Sequence, residues 1–145
     1  MGDLSANFDR DEFECGCCHK VVVRLRLISA LQQLRDKVRV PITITSGYRC
    51  SQYNKKIGGV SNSRHCSGEA ADIHIHGMTA KEMYGHALGI PEFKDGGLGI
   101  YPDRKFVHVD VRDKAARWAE LGGKKVTYFD YAKWEDKQDG KIPKP

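Results

Sequence analysis

At 145 residues and a net charge of +5, the chain has the length of one domain, for which about 100–200 residues is usual. Hydrophobic residues make up 40% and charged residues 30%, which excludes disordered and fibrous classes, and no apolar run approaches the roughly 18 residues of a membrane span. The excess of Lys and Arg favours anionic partners, but the chain has no run of five basic residues and no basic motif interleaved with aromatics, so nucleic acid is not an expected partner.

Residues 1–20 are polar and cysteine-rich and read as an arm that packs onto the body through Phe8 and Phe13. From Val22 to Val38 the apolar positions Leu25, Ile28, Leu31, Leu34 and Val38 recur at three- and four-residue steps, the pattern of an amphipathic helix. Pro41 breaks it, and Ile42 to Thr45 alternates like a strand that ends at Ser46-Gly47. A short helix is expected around Gln52–Ile57, followed by loop chemistry at Gly58-Gly59 and Ser61-Asn62-Ser63. Alternation from Ala71 to His76 predicts a second strand. Thr79-Ala80-Lys81-Glu82 is a capping-box pattern opening a helix that ends near Gly89. Leu98–Tyr101 and Phe106–Val111 read as two more strands around the turn Pro102-Asp103-Arg104. Ala115–Leu121 reads as a short helix ended by Gly122-Gly123, Lys124–Trp134 as a return to the body, and 135–145 as a flexible tail. With no internal repeat, 1–145 is expected to be a single domain and a monomer.

Six histidines are present. His86 sits inside a predicted helix and needs no role beyond packing or solvation. His65 lies in a glycine-bearing loop seven residues before Asp72, on the strand that the loop feeds, and His108 lies mid-strand. Two imidazoles and one carboxylate leave a zinc ion positively charged with an open fourth position, where the pKa of a water falls toward about 7. A hydrogen-bonded pair at a strand end explains His65 and Asp72 equally well on spacing alone. Arg49 suits a developing oxyanion, a bidentate grip on a substrate carboxylate, or a structural salt bridge. Ser63 suits orienting His65, bonding substrate, or shaping the turn.

The ordered set Ser46-Gly47-Tyr48-Arg49, Asn54, Gly58-Gly59, Ser63-x-His65-x-x-Gly68-x-Ala70-x-Asp72, Gly96-Gly97-x-Gly99-x-Tyr101-Pro102 and Phe106-Val107-His108-Val109-Asp110 resembles the M15-type zinc peptidases. These include D-Ala-D-Ala carboxypeptidases and peptidoglycan endopeptidases, many of them phage endolysins. The resemblance runs from about Phe8 to Trp118. It implies the α+β hedgehog/DD-peptidase fold, a small antiparallel sheet flanked by helices, and a peptidoglycan peptide as substrate. It implies one catalytic zinc on His65, Asp72 and His108, with Arg49 at the substrate and oxyanion. The alternative is a non-catalytic zinc-binding module on the same scaffold, binding cell wall or a protein partner.

The sequence departs from many such enzymes where an acidic base precedes the last zinc histidine by three positions: here that residue is Lys105. Asp110, two residues after His108 and on the same strand face, is expected to take the proton-transfer role, with Asp103 and His74 as further candidates. Met1 to Ser5 carry no signal-peptide pattern, so synthesis in the cytoplasm is expected; the resemblance implies release to the wall by a phage-type route, and a leader missing from this sequence is the alternative.

Five cysteines is an odd number, which argues against a complete disulfide scaffold. Cys15, Cys17, Cys18 and His19 resemble part of a structural zinc site, with spacing tighter than the usual two-residue gap. Cys50 and Cys66, beside Arg49 and His65, are candidates for a disulfide if the loops converge, or otherwise for buried free thiols.

Overall fold

Strict alternation of large apolar with small or polar residues builds the centre of the molecule, of which the computed structural model describes residues 2–127. Six strands form one sheet: β1 (Ile42–Ser46), β2 (Ala70–Ile75), β3 (Gly97–Tyr101), β4 (Phe106–Asp110), β5 (Ala116–Leu121) and β6 (Lys124–Thr127). Their order is β1-β2-β4-β3-β5-β6. The expected antiparallel sheet runs through β1, β2, β4 and β3, and the parallel pairing of β3 with β5 makes the whole sheet mixed.

Side chains alternate between faces along each strand. Ala71, Ile73 and Ile75 of β2, Val107 and Val109 of β4, and Leu98 and Ile100 of β3 enter the core. There they meet α1 (Leu25–Val38) and α3 (Ala80–Leu88) through Leu27, Leu31, Leu34, Met83 and Ala87. Two shorter helices, α2 (Ser51–Lys56) and α4 (Pro91–Lys94), complete the α+β set. The intervening strand positions bring Asp72, His108, Gly99 and Trp118 into one row across β2, β4, β3 and β5, because each is the register partner of the next.

Two segments depart from the sequence expectation. The first helix begins at Leu25 rather than Val22 because the Arg24 backbone is extended and its N–H donates to the Gly68 carbonyl at 2.9 Å. Ala116–Leu121, expected to be helical, is strand β5. Its helix-favouring residues are overruled by the free edge of β3, which offers a full set of backbone partners. Gly122 and Gly123 then form the two-residue loop of a hairpin into β6, with Leu121 paired to Lys124 and both glycines at positive φ, as a type I′ turn requires.

The arm docks as its aromatics suggest. Phe8 and Phe13 are each 1% exposed and meet edge to face at 6.3 Å, and the Phe13 carbonyl accepts from the Tyr48 N–H at 2.9 Å. The expected tail 135–145 and most of the return to Trp134 lie outside the described residues. Among the described residues, no helix is long and apolar enough to cross a membrane.

Candidate metal centre

Strands supply two of the three expected ligands and a loop supplies the third. Asp72 and His108 face each other on β2 and β4. His65 is carried by the loop between α2 and β2, where its own N–H donates to Ser63 Oγ at 3.3 Å and its carbonyl accepts from the Arg49 N–H at 3.2 Å. All three side chains are buried, and their ligand atoms lie within 4.8 Å of one another.

The remaining ring nitrogens decide which atoms face inward. His65 Nδ1 sits 2.7 Å from the Gly47 carbonyl, an obligate acceptor, so it carries a proton there and turns Nε2 toward Asp72 Oδ1 at 3.3 Å. His108 Nε2 sits 2.7 Å from Asp110 Oδ2 and turns Nδ1 toward the same Asp72 oxygen at 3.1 Å. Two imidazole lone pairs and a carboxylate oxygen thus converge, an arrangement of acceptors that a cation or a proton must fill. Histidine ligands with their outer nitrogen held by a carbonyl or carboxylate are the usual support of a metal site. The donor set therefore fits zinc.

The titration shifts follow from the same contacts. Burial pushes the Asp72 carboxyl up, but the facing His108 and His65 imidazoles, which donate to it when protonated, outweigh that and hold the group below the usual carboxylate range. Burial lowers His65, offset only in part by Asp72. Burial also acts to lower His108, yet Asp110 and Asp72 on its two nitrogens leave it raised.

Asp110 is placed differently from the expectation that it faces a reacting water. Its carboxylate is fully buried and accepts from His108 Nε2, from the Gly97 N–H at 2.8 Å, and from Arg112 through its backbone N–H, Nε and Nη2. It braces the outer side of His108. The other two candidates are also engaged elsewhere: His74 Nδ1 bonds the Lys105 carbonyl at 2.8 Å, and Asp103 accepts from the Gly122 N–H at 2.8 Å.

The three ligands sit in a cleft of about 650 Å³. Arg49 reaches its edge, with Nη2 3.3 Å from Asp72 Oδ2, Nε on Ser46 Oγ at 3.2 Å and Nη1 on Asn54 Oδ1 at 3.4 Å. Ser63 lines the same cleft. Trp118 forms a wall, its ring 4.9 Å from that of His108 and its Nε1 donating to Tyr101 Oη at 2.8 Å. Gly99 makes this possible, since a Cβ there would collide with the indole. Arg64, Arg104, Arg112, Arg117 and Lys125 also line the cleft. Asp72 and Glu120 are its carboxylates among the described residues, and Glu120 is gripped by Arg104 through both oxygens.

The cysteines group in an unexpected way. All five are free thiols, so the Cys50–Cys66 clamp is not formed. Instead Cys50 joins Cys15 and Cys18, their sulfurs within 4.8 Å of one another. His19 turns instead toward Glu14, 3.7 Å away. Burial alone would raise the Cys15 thiol, but backbone N–H groups of Cys18, Cys50 and Cys17 bring it down to about 6.

Sequence reasoning missed the Gly47 carbonyl, Trp118, Arg112 and the move of Cys50. Arg112 follows Asp110 by two residues, so the strand period could have paired them. Trp118 was hidden by the helical reading of β5, and no local signal marks a backbone carbonyl as a ligand's support.

Residues 6–110 match the family model described as Peptidase M15. Over 78 residues, half of this chain, the sequence is 35% identical to the peptidoglycan L,D-endopeptidase MepK of Escherichia coli K12. Over 75 residues, 48% of the chain, it is 32% identical to the probable peptidoglycan L,D-endopeptidase MepK of Haemophilus influenzae. These matches take in 41% and 39% of the relatives' own lengths. The family match spans well over half of the chain and takes in His65, Asp72 and His108 together with Asp110, and on that ground the chain belongs to the peptidase M15 family.

Proposed function

We propose that the chain is a zinc-dependent peptidase that cuts within the stem peptides of peptidoglycan. The observation that carries this reading is the convergence of His65 Nε2, His108 Nδ1 and Asp72 Oδ1 in an open cleft. The names of the relatives support the wall substrate and an L,D-endopeptidase rather than a carboxypeptidase. The cationic lining of the cleft supports a substrate bearing carboxylates, as stem peptides do.

When bound, zinc supplies Lewis acidity and a lowered pKa for water. The protein's part is to hold and to orient. Asp72 and His108 are fixed by adjacent strands, Asp110 sets the His108 tautomer, and the Gly47 carbonyl sets that of His65. Arg49, held on three acceptors at the cleft edge, offers its guanidinium to the negative charge that develops on the scissile carbonyl. Trp118 and Tyr101 give the peptide a flat wall beside the ligands and exclude water from that side.

Lys105 at the position of the usual acid, together with the engagement of Asp110, favours as a second reading a zinc module that binds wall peptide without cutting it. Incubation of purified muropeptides with zinc-loaded protein, followed by mass spectrometry of the products, separates the two. The expected result is cleavage within the stem by wild type and none by His65→Ala. Intact muropeptides with zinc-loaded wild type would overturn the peptidase reading.

A further inference from the structure

The cysteines of the arm have no part in the cleft, yet they are not scattered. We infer that Cys15, Cys18 and Cys50, with Cys17 completing a tetrahedral set, form a second metal site that takes a thiophilic ion, zinc foremost. It is separate from the His65–Asp72–His108 centre and stands or falls independently of the peptidase reading.

Geometry carries this. The sulfurs of Cys15, Cys18 and Cys50 lie within 4.8 Å of one another as free thiols. Four thiolates about 2.3 Å from zinc stand about 3.8 Å apart at tetrahedral corners, so the site needs only a small contraction to close on an ion. The Cys17 thiol lies outside that group of three but interacts with that of Cys50, and its exposed position in the same short loop makes it the candidate fourth donor. Cys15 and Cys18 are separated by two residues, the customary gap between paired thiolate ligands. The gap between Cys15 and Cys17 is tighter than that; the pair that converges is the one with the usual gap.

The backbone is arranged for negative sulfur. The Cys50 N–H donates to Cys15 Sγ and the Tyr53 N–H to Cys50 Sγ, each at 3.4 Å. The intervening loop is folded tightly, with the Cys15 N–H bonded to the Lys20 carbonyl at 2.9 Å and the His19 N–H to the Cys15 carbonyl at 3.0 Å. Cys17 and Cys18 are exposed, which leaves an ion a way in. Two distant stretches of chain meet here, the arm and the N-cap of α2. The second stretch includes Arg49 and the Gly47 carbonyl that orients His65. An ion at this place would hold the arm and the active-site loop together.

Cobalt(II), added to the reduced full-length chain, tests the proposal, because thiolate ligands give cobalt an intense charge-transfer absorption that His and Asp ligands do not. Wild type is expected to take two cobalt ions per chain and to show the band. Cys18→Ser should keep one ion and lose the band, whereas Cys66→Ser should keep both and His65→Ala should keep the band. Cys18→His, which offers a nitrogen donor, should regain the second ion with a weaker band, and this separates ligand loss from misfolding. A wild-type chain without the band, a band that survives Cys18→Ser, or a disulfide among Cys15, Cys18 and Cys50 in the protein as isolated would overturn the proposal.

Discussion

Replacing Asp110 by asparagine exchanges one carboxylate oxygen for an NH2 group at nearly constant volume, and the surroundings leave that group nowhere to donate. Asp110 Oδ1 accepts from the Gly97 N–H and from Arg112 N and Nε at 2.8, 3.1 and 2.9 Å. Oδ2 accepts from His108 Nε2 at 2.7 Å and from Arg112 Nη2 at 2.6 Å. With the amide oxygen kept on the first set, the NH2 faces two further donors. His108 relieves the conflict by moving its proton to Nδ1, the atom directed at Asp72 and at the metal position. Loss of such a support to a ligating histidine typically costs about 10–100-fold in metal affinity, or about 1.4–2.8 kcal/mol at about 1.4 kcal/mol per decade. The donor left facing Arg112 should also destabilise the metal-free fold by about 1–3 kcal/mol. Competition with a chromophoric chelator reads the first effect, and urea unfolding of the metal-free protein reads the second. An Asp110→Asn variant that holds zinc as tightly as wild type would refute the tautomer argument.

Arg49→Lys keeps the charge but cannot span Ser46 Oγ, Asn54 Oδ1 and Asp72 Oδ2 together. The expectation is a kcat on muropeptides lower by about 10²–10³ with zinc content unchanged, and an undiminished kcat would remove Arg49 from the charge-stabilising role. Gly99→Ala drives a methyl into the Trp118 ring, and overpacking of this kind costs about 1–3 kcal/mol; urea unfolding should show the loss, and a wild-type midpoint would mean that the wall is not tightly packed. Zinc at His108 Nδ1 would compete with the second proton that the ring takes up there as pH falls, a protonated form that Asp110 and Asp72 stabilise. Affinity should therefore fall with falling pH, by about tenfold per unit for each proton exchanged, and the fall should set in above the ordinary 6.5 because the ring is raised. Chelator competition across the neutral range checks this, and a flat profile would show that the site is already deprotonated.

The parts of the fold written in short-range patterns were legible in the sequence. Apolar residues at three- and four-residue steps marked α1, Thr79 and Glu82 marked the capped start of α3, and alternation marked β1 to β4. Ala116–Leu121 was not legible because Ala, Arg, Glu and Leu favour helix locally, while the parallel edge of β3 is visible only once the sheet exists. Its one local clue was Gly122-Gly123, a hairpin signal read instead as a helix stop. At the site, spacing alone left a hydrogen-bonded His65–Asp72 pair as open as a metal site, and it was the resemblance to M15-type peptidases that implied His65, Asp72 and His108 together. Asp110 shows the limit: strand period put it on the His108 face, but whether it meets the metal side of the ring or the outer side depends on Arg112 and Gly97, which claim its oxygens from behind.

The arrangement of the three ligands also suggests where the site is soft. Asp72 and His108 belong to paired positions on adjacent strands, so the sheet fixes their separation and the ion pays no ordering cost for them. His65 belongs to a loop, and its ring is oriented by Gly47 and its backbone by Arg49, both in the segment that the arm grips through Phe13 and Tyr48. Any loosening of that segment weakens one ligand and displaces the guanidinium at once, while leaving the strand ligands in place. A thiolate-bound ion at Cys50, one residue beyond Arg49, would act on this weakest point. Stripping it should therefore lower zinc affinity at the cleft without unfolding the sheet.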